Sequence, residues 1–153
     1  MNKMRYFFAC VLFICFFTLT AVVNAQPSQQ EYNPITLEHF RQSLEHMRNG
    51  DYRSAINSST IVISRDPRSS VAYVIRARAY FELSEYDKAI ADCTQAIRED
   101  RRNAGAFVIR GNAHVQKGDR KRAIADWQSA LRINPNIAEA SHNIEVARAV
   151  SDD

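Results

Sequence analysis

The chain has 153 residues, of which 46% are hydrophobic and 24% charged, and its formal net charge is +3 at pH 7. This length is enough for one domain of ordinary size, and the near balance of charges gives no indication of a polyanionic partner such as nucleic acid. With only four glycines in all, the chain has little room for a glycine loop that cradles phosphates.

The first 25 residues have the layout of a secretory signal peptide. Lys3 and Arg5 form a basic start, an apolar run follows, and short side chains then recur at Val23 and Ala25. We expect cleavage after Ala25. The alternative is an uncleaved membrane anchor, because the apolar stretch can be extended to Val23 and approaches the roughly 20 residues that a span needs. Both alternatives place the rest of the chain outside the cytoplasm, periplasmic or secreted, since the basic end stays inside.

Removal of this leader changes the composition of what remains. Residues 26–153 carry 18 Lys and Arg against 17 Asp and Glu, a net charge of +1, so the basicity of the whole chain lies largely in the leader. Cys93 is the one cysteine left, which excludes an intramolecular disulfide.

A polar segment with two prolines, residues 26–35, predicts a flexible lead-in. Beyond it, apolar residues recur at helical spacing, and strand patterns are absent. Gly50 and Gly118 can adopt positive φ after a helix, and Pro67 and Pro135 cannot continue one. The predicted helices lie near 36–49, 52–65, 70–83, 86–99, 104–117, 120–133 and 137–150.

The helices fall into three units of 34 residues, 36–69, 70–103 and 104–137, followed by a closing helix over 138–150. The second and third units are identical at eleven positions without a gap. Each unit consists of a predicted helix, a tight turn and a second helix. A fixed internal period of this length predicts a repeat architecture in which each unit buries its apolar face only against its neighbours.

Two charged positions change together between the units. Units two and three carry Arg at position 7 and Asp at position 23, whereas unit one has Gln42 and Ser58 there. We expect ion pairs between the two helices of a unit, Arg76 with Asp92 and Arg110 with Asp126. In unit one we expect a neutral hydrogen bond between Gln42 and Ser58 instead.

The chain resembles the tetratricopeptide repeat (TPR) family over residues 36–137. The third unit carries the pattern of that family best, and the second unit departs from it at Arg101, where the family has proline. The matching residues of the third unit are Phe107, Gly111, Ala123, Trp127, Ala130 and Pro135. The resemblance implies an all-α solenoid of three helix-turn-helix repeats, with the 138–150 helix as a cap that covers repeat three through Ala138, Ile144 and Ala147.

In this family the first helices of the repeats line a concave groove that binds peptides or partner helices. By resemblance, the groove residues here are Phe40, Leu44, Met47, Arg48, Val74, Arg78, Phe81, Glu82, Val108, Asn112, Val115 and Gln116. An apolar concavity of this kind usually marks a binding site. One variety of the family grips C-terminal carboxylates through Lys, Asn and Arg. At the corresponding positions this chain has Phe40, Leu44, Ile75, Gly105 and Ile109, which argues against that mode.

No residue pattern supports catalysis, a metal site or a cofactor. Cys93 stands where Trp127 and Ser59 stand in the other units, and we expect it to be buried. His114 replaces a family Tyr and is expected to pack. Two functions remain open. One is a non-catalytic adaptor that holds a peptide or protein of the cell envelope, and the other is a fixed structural subunit of a larger envelope or secretion complex. A membrane contact is expected only if the leader is uncleaved.

Overall fold

The computed structural model describes residues 33–149, which form seven helices and contain no strand. The helices are α1 (Pro34–Arg48), α2 (Tyr52–Arg65), α3 (Ser70–Glu82), α4 (Tyr86–Glu99), α5 (Ala104–Gln116), α6 (Arg120–Ile133) and α7 (Ala138–Ala149). Each predicted helix is present with its ends shifted by no more than two residues. The prediction of an all-α stack of three helical hairpins and a closing helix is confirmed.

Local chemistry explains where the helices begin. The side chains of Asp51, Asn103 and Asp119 each accept a hydrogen bond from the backbone N–H three residues ahead, at 3.0–3.1 Å. Such caps satisfy backbone donors that have no partner inside the helix. Helix α1 starts at Asn33, whose side-chain oxygen accepts from the N–H of Ile35 two residues ahead, and proline is its first residue. The last two residues of the predicted lead-in, 34–35, are therefore helical.

The predicted leader, the rest of the lead-in and residue 150 lie outside the described residues. Within residues 33–149, no helix is both long enough and apolar enough to span a membrane.

The turn inside each repeat has one backbone conformation regardless of its sequence. Gly50 and Gly118 have φ of 74° and 80°, and Ser84, which stands at the same repeat position, has φ of 61°. Left-handed backbone costs glycine little but is unfavourable for serine. The second hairpin thus adopts this turn although its residue does not favour it, because packing of α3 against α4 requires the turn.

The helices of each hairpin approach closely at small side chains. Ala55, Ala89 and Ala123, at position 20 of the three repeats, are completely buried. The third repeat shows how tight the fit is. A Cβ added to Gly111 would lie 2.7 Å from Nε1 of Trp127 and 3.1 Å from the carbonyl oxygen of Ala123. Gly111 therefore provides the space that the indole of Trp127 occupies.

Both expected Arg–Asp ion pairs are present. Nε and Nη2 of Arg76 donate to the two carboxylate oxygens of Asp92 at 2.7 and 2.8 Å, and Arg110 binds Asp126 in the same two-pronged geometry at 2.9 and 2.7 Å. The Asp92 and Asp126 side chains are about one-tenth exposed. Hydrogen bonds to these carboxylates raise the pKa of Arg76 and of Arg110 above the ordinary value.

The same arginines also join successive repeats, which the sequence reasoning missed. Nη1 of Arg76 donates to Oγ1 of Thr60 on α2, at 3.0 Å, and Nη1 of Arg110 donates to Oγ1 of Thr94 on α4, at 3.2 Å. Thr60 and Thr94 both stand at repeat position 25, so their recurrence in the sequence could have indicated this contact. Each arginine thus links the two helices of its own repeat to the second helix of the repeat before.

The expected hydrogen bond between Gln42 and Ser58 was wrong. The amide of Gln42 donates to Glu38 at 2.9 Å and its oxygen contacts Nδ1 of His39 at 3.1 Å. Both partners lie on α1. The amide of Gln42 is thus occupied by side chains of its own helix rather than by Ser58 across the hairpin.

We expect the Arg76–Asp92 pair to show strong coupling. Arg76→Gln or Asp92→Ser alone should each lower the free energy of unfolding by about 3 kcal/mol, because each leaves a mostly buried charge without its partner. The double variant should cost at least about 1 kcal/mol less than the sum of the two singles. Chemical denaturation of the four proteins measures this.

The matched control is Arg78 with Glu82, an exposed pair one helical turn apart at 3.1 Å. Its double-mutant cycle with Gln at both positions should give a coupling no larger than about 0.5 kcal/mol. Additive losses at Arg76 and Asp92 would contradict the assigned role of the buried pair.

Gly111→Ala should destabilise the protein by about 1–3 kcal/mol, because the new methyl group overlaps the ring of Trp127. Gly105→Ala on the same helix is the matched control. A Cβ there meets only Oδ1 of Asn103, at 3.5 Å, so the substitution should stabilise the helix by about 0.5–1 kcal/mol. Thermal unfolding midpoints that move in the same direction for both variants would contradict the close fit at Gly111.

Candidate functional site

The first helices of the three repeats form a shared face. Helix α1 contacts α3, α3 contacts α5, and α7 packs on α6 after the last repeat. We use "groove" for the face formed by α1, α3 and α5 together with the adjoining side of α7. Large apolar side chains that are exposed on the first helices include Leu37, Leu44, Val71 and Val115.

The predicted groove residues differ in how exposed they are in the structure. Leu44 and Val115 are exposed, as are the polar residues Arg48, Arg78, Glu82 and Gln116. Phe40, Met47, Val74, Phe81 and Asn112 are half-buried. Arg78 is not a free cation, because its Nε donates to Glu82 at 3.1 Å.

Val108 is buried, contrary to the prediction. It was expected to face the groove, but it is 5% exposed and belongs to the core cluster that contains Trp127, Ala140 and Ile144. Helix α7 causes this difference, because its apolar side closes over α5 and α6 at the end of the stack. The covering residues of α7 are Ala140, Ile144 and Ala147, whereas Ala138, which was expected to be among them, is exposed.

A cavity of about 420 Å³ lies at the α7 end of the groove. It is bounded by α3, α5, the start of α6, and α7. The lining residues are Phe81, Asn112, Val115, Gln116, Arg120, Trp127, Glu139, Asn143, Val146 and Ala147. Its volume is within the range of sites that hold small ligands or single side chains of a partner.

Asn112 organises the polar side of this cavity. Its Oδ1 accepts hydrogen bonds from Nε1 of Trp127 at 2.9 Å and from Nδ2 of Asn143 at 3.1 Å. Its own amide donates to Oε1 of Glu139 at 2.9 Å. One side chain of α5 therefore joins α6 and α7 through three hydrogen bonds.

Four groove residues are not among those named from the sequence. Leu37 and Val71 share repeat position 2, which the family resemblance already places in the groove. Val146 and Glu139 belong to α7, outside the three repeats, and no periodic signal placed them at the cavity. Trp127 was expected only as a filler between repeats, yet it also lines the cavity.

The residues weighed for chemistry are held inside the fold. Cys93 is completely buried, as expected, and burial raises the pKa of its thiol to about 12. It is therefore a protonated thiol at neutral pH. His114 is buried beside Asp126, and desolvation lowers the pKa of its imidazole. Within residues 33–149, no group of three or more His, Cys, Asp or Glu side chains is arranged to hold a metal ion.

Comparison with solved structures finds the same architecture in TPR domains, two of which are bound to a peptide. The second TPR domain of human RPAP3, in complex with an HSP70 peptide, is 27% identical with a TM-score of 0.71, and the match covers 74% of this chain and 95% of that one. The first TPR domain of Spaghetti (RPAP3), bound to the HSP90 peptide SRMEEVD, is 26% identical with a TM-score of 0.74, covering 77% and 94%. The Arabidopsis OM64 TPR domain is 26% identical with a TM-score of 0.73, covering 74% and 94%.

Family models identify the repeats directly. Two tetratricopeptide repeat models match residues 40–106 and 104–137, which together are more than half of the chain. Members of this family are typically non-catalytic scaffolds for protein interactions, and no enzyme family matches. Among curated protein sequences, none matches this chain. The helical hairpins, their 34-residue period and the two family matches lead to one conclusion: the chain belongs to the tetratricopeptide repeat family.

Proposed function

We propose that this protein is a non-catalytic adaptor that holds a peptide or a protein segment in its groove. The observation that carries the proposal is the exposure of Leu37, Leu44, Val71 and Val115 on one face. Large apolar side chains gathered on a soluble domain usually mark a surface that a partner covers. A bound segment would remove this surface from water, at about 25 cal/mol per Å² of apolar area.

The relatives support the same reading. Two of the similar domains hold peptides, from HSP90 in one and from HSP70 in the other. Their architecture is shared over about three-quarters of this chain. The partner of this protein is accordingly a polypeptide rather than a nucleic acid, consistent with the net charge of +1 on residues 26–153.

The proposal assigns no catalytic step. The thiol of Cys93 and the imidazole of His114 are inside the packed core, where no substrate reaches them. The groove offers apolar side chains, amides and a few charges, which suit recognition rather than bond making.

A photoreactive side chain in the groove should capture the partner. We expect p-benzoylphenylalanine at Val115, which is 39% exposed, to form a discrete adduct in cells. The same group at Ile61, which is 36% exposed on α2, is the matched control and should form none. Mass spectrometry of the adducts identifies what is bound.

Absence of an adduct from both Val115 and Leu44, or equal adducts from Ile61, would overturn groove binding. An adduct to one protein that also co-purifies in fixed stoichiometry would instead establish the alternative function, a permanent subunit of a larger complex.

We also propose that the repeat domain works outside the cytoplasm, in the periplasm or after secretion. The basic start, the apolar run and the short side chains that end at Ala25 support this location.

Protein isolated from expressing cells should begin at Gln26 by N-terminal sequencing and should fractionate outside the cytoplasm. Replacing two apolar residues of the leader, Leu12→Arg and Leu19→Arg, should keep the protein inside, because the export machinery requires an apolar segment. A protein that keeps Met1 and stays with the membrane fraction would favour the anchor. An intact protein in the cytoplasm would refute export.

A further inference from the structure

We infer that the cavity at the α7 end of the groove is an anchoring subsite for one large apolar side chain of the bound segment. The subsite favours an electrically neutral segment over an acidic one. This inference deepens the proposed function and rests on it for the identity of the ligand as a polypeptide.

The polar groups clustered around Asn112 in the cavity wall bond to one another. Asn112 accepts from Trp127 and Asn143 and donates to Glu139, all at 2.9–3.1 Å. A ligand that presents no hydrogen-bonding group there leaves these bonds intact. An apolar side chain can therefore enter without leaving a buried polar group unpaired, a loss that would cost free energy.

The remaining wall is apolar and comes from three helices. Phe81 reaches the cavity from α3, Val115 from α5 and Val146 from α7. Val115 and Val146 are 39% and 49% exposed, and Phe81 is half-buried against Tyr86, with ring centroids 5.6 Å apart. A large apolar side chain that is inserted between these residues would be surrounded on three sides, which a flat surface cannot provide.

The charges near the cavity are balanced. Arg120 and Glu139 both line it, and Arg78 on the adjoining part of the groove is paired with Glu82. An acidic segment therefore finds no net positive charge, in contrast to the chemistry needed for an acidic peptide such as SRMEEVD, which the similar Spaghetti domain binds. The apolar residues Leu37, Leu44 and Val71 continue the neutral character along the rest of the face.

The single tryptophan of the chain makes the subsite directly observable. Trp127 lines the cavity, and its indole N–H gives one resolved signal in a proton–nitrogen NMR spectrum because the chain has no other tryptophan. The experiment titrates N-acetyl-phenylalaninamide into protein isolated after expression of the full coding sequence. We expect a saturable shift of this signal with a dissociation constant of about 1 mM, as a ligand of this size can reach.

Variants locate the binding. Val115→Asp and Val146→Asp each place a carboxylate at the cavity mouth and should weaken binding of the probe at least tenfold. Ile61→Asp, at a similarly exposed apolar residue outside the groove, should leave it unchanged. Both cavity positions are exposed, and circular dichroism checks that each variant retains its helices.

A second titration compares the acidic peptide SRMEEVD with an analogue in which Phe replaces its first Glu, and Gln replaces its second Glu and its terminal Asp. The acidic peptide should bind more weakly than the analogue. No shift of the Trp127 signal, equal weakening by Ile61→Asp, or tighter salt-sensitive binding of the acidic peptide would each overturn the assignment.

The two proposals fail separately. If a partner captured from Leu44 remains bound to Val115→Asp and Val146→Asp, the subsite is refuted and groove binding stands. If the probe binds but no partner is captured, the adaptor function is refuted and the subsite stands.

Discussion

The structure depends on the close approach of two helices within each repeat, which requires a small side chain where they touch. Ala55, Ala89 and Ala123 are completely buried at that place. A single hairpin cannot bury its remaining apolar face, so the hairpins must stack. In the third repeat the requirement is strictest, since Gly111 leaves space only for the ring of Trp127. That ring then forms a wall of the cavity, and the packing rule of the fold thereby shapes the candidate site.

A second constraint holds the repeats in register. Arg76 and Arg110 each bind an aspartate of their own repeat and a threonine of the preceding one. These two-pronged, mostly buried contacts have a defined geometry and leave little freedom for one hairpin to slide on the next. This arginine contact is absent at the closing helix. Helix α7 carries the buried Ile144 at the corresponding place, so it is attached through apolar contacts and through Asn112.

Helix α7 has opposite effects on neighbouring positions of the groove. It buries Val108, which was expected to face the groove. It also brings Val146 and Glu139 to the same edge and so creates a cavity that α5 alone would not have. A closing helix in this molecule therefore does more than shield the core from water. It gives one end of the groove a chemistry different from that of the apolar face of α1 and α3.

The sequence by itself determined the helices, their 34-residue period, the burial of Cys93 and the aspartate partners of Arg76 and Arg110. These features follow from local spacing, or from residues that recur in phase, and neither needs knowledge of distant contacts. Only the tertiary structure decided the burial of Val108, the hydrogen bonds of Asn112 and the cavity. These depend on where α7 comes to rest against α5 and α6, and α7 stands outside the period. The pairing of Gln42 with Glu38 and His39 was likewise not predicted, because these partners lie within α1 and do not recur in the other repeats.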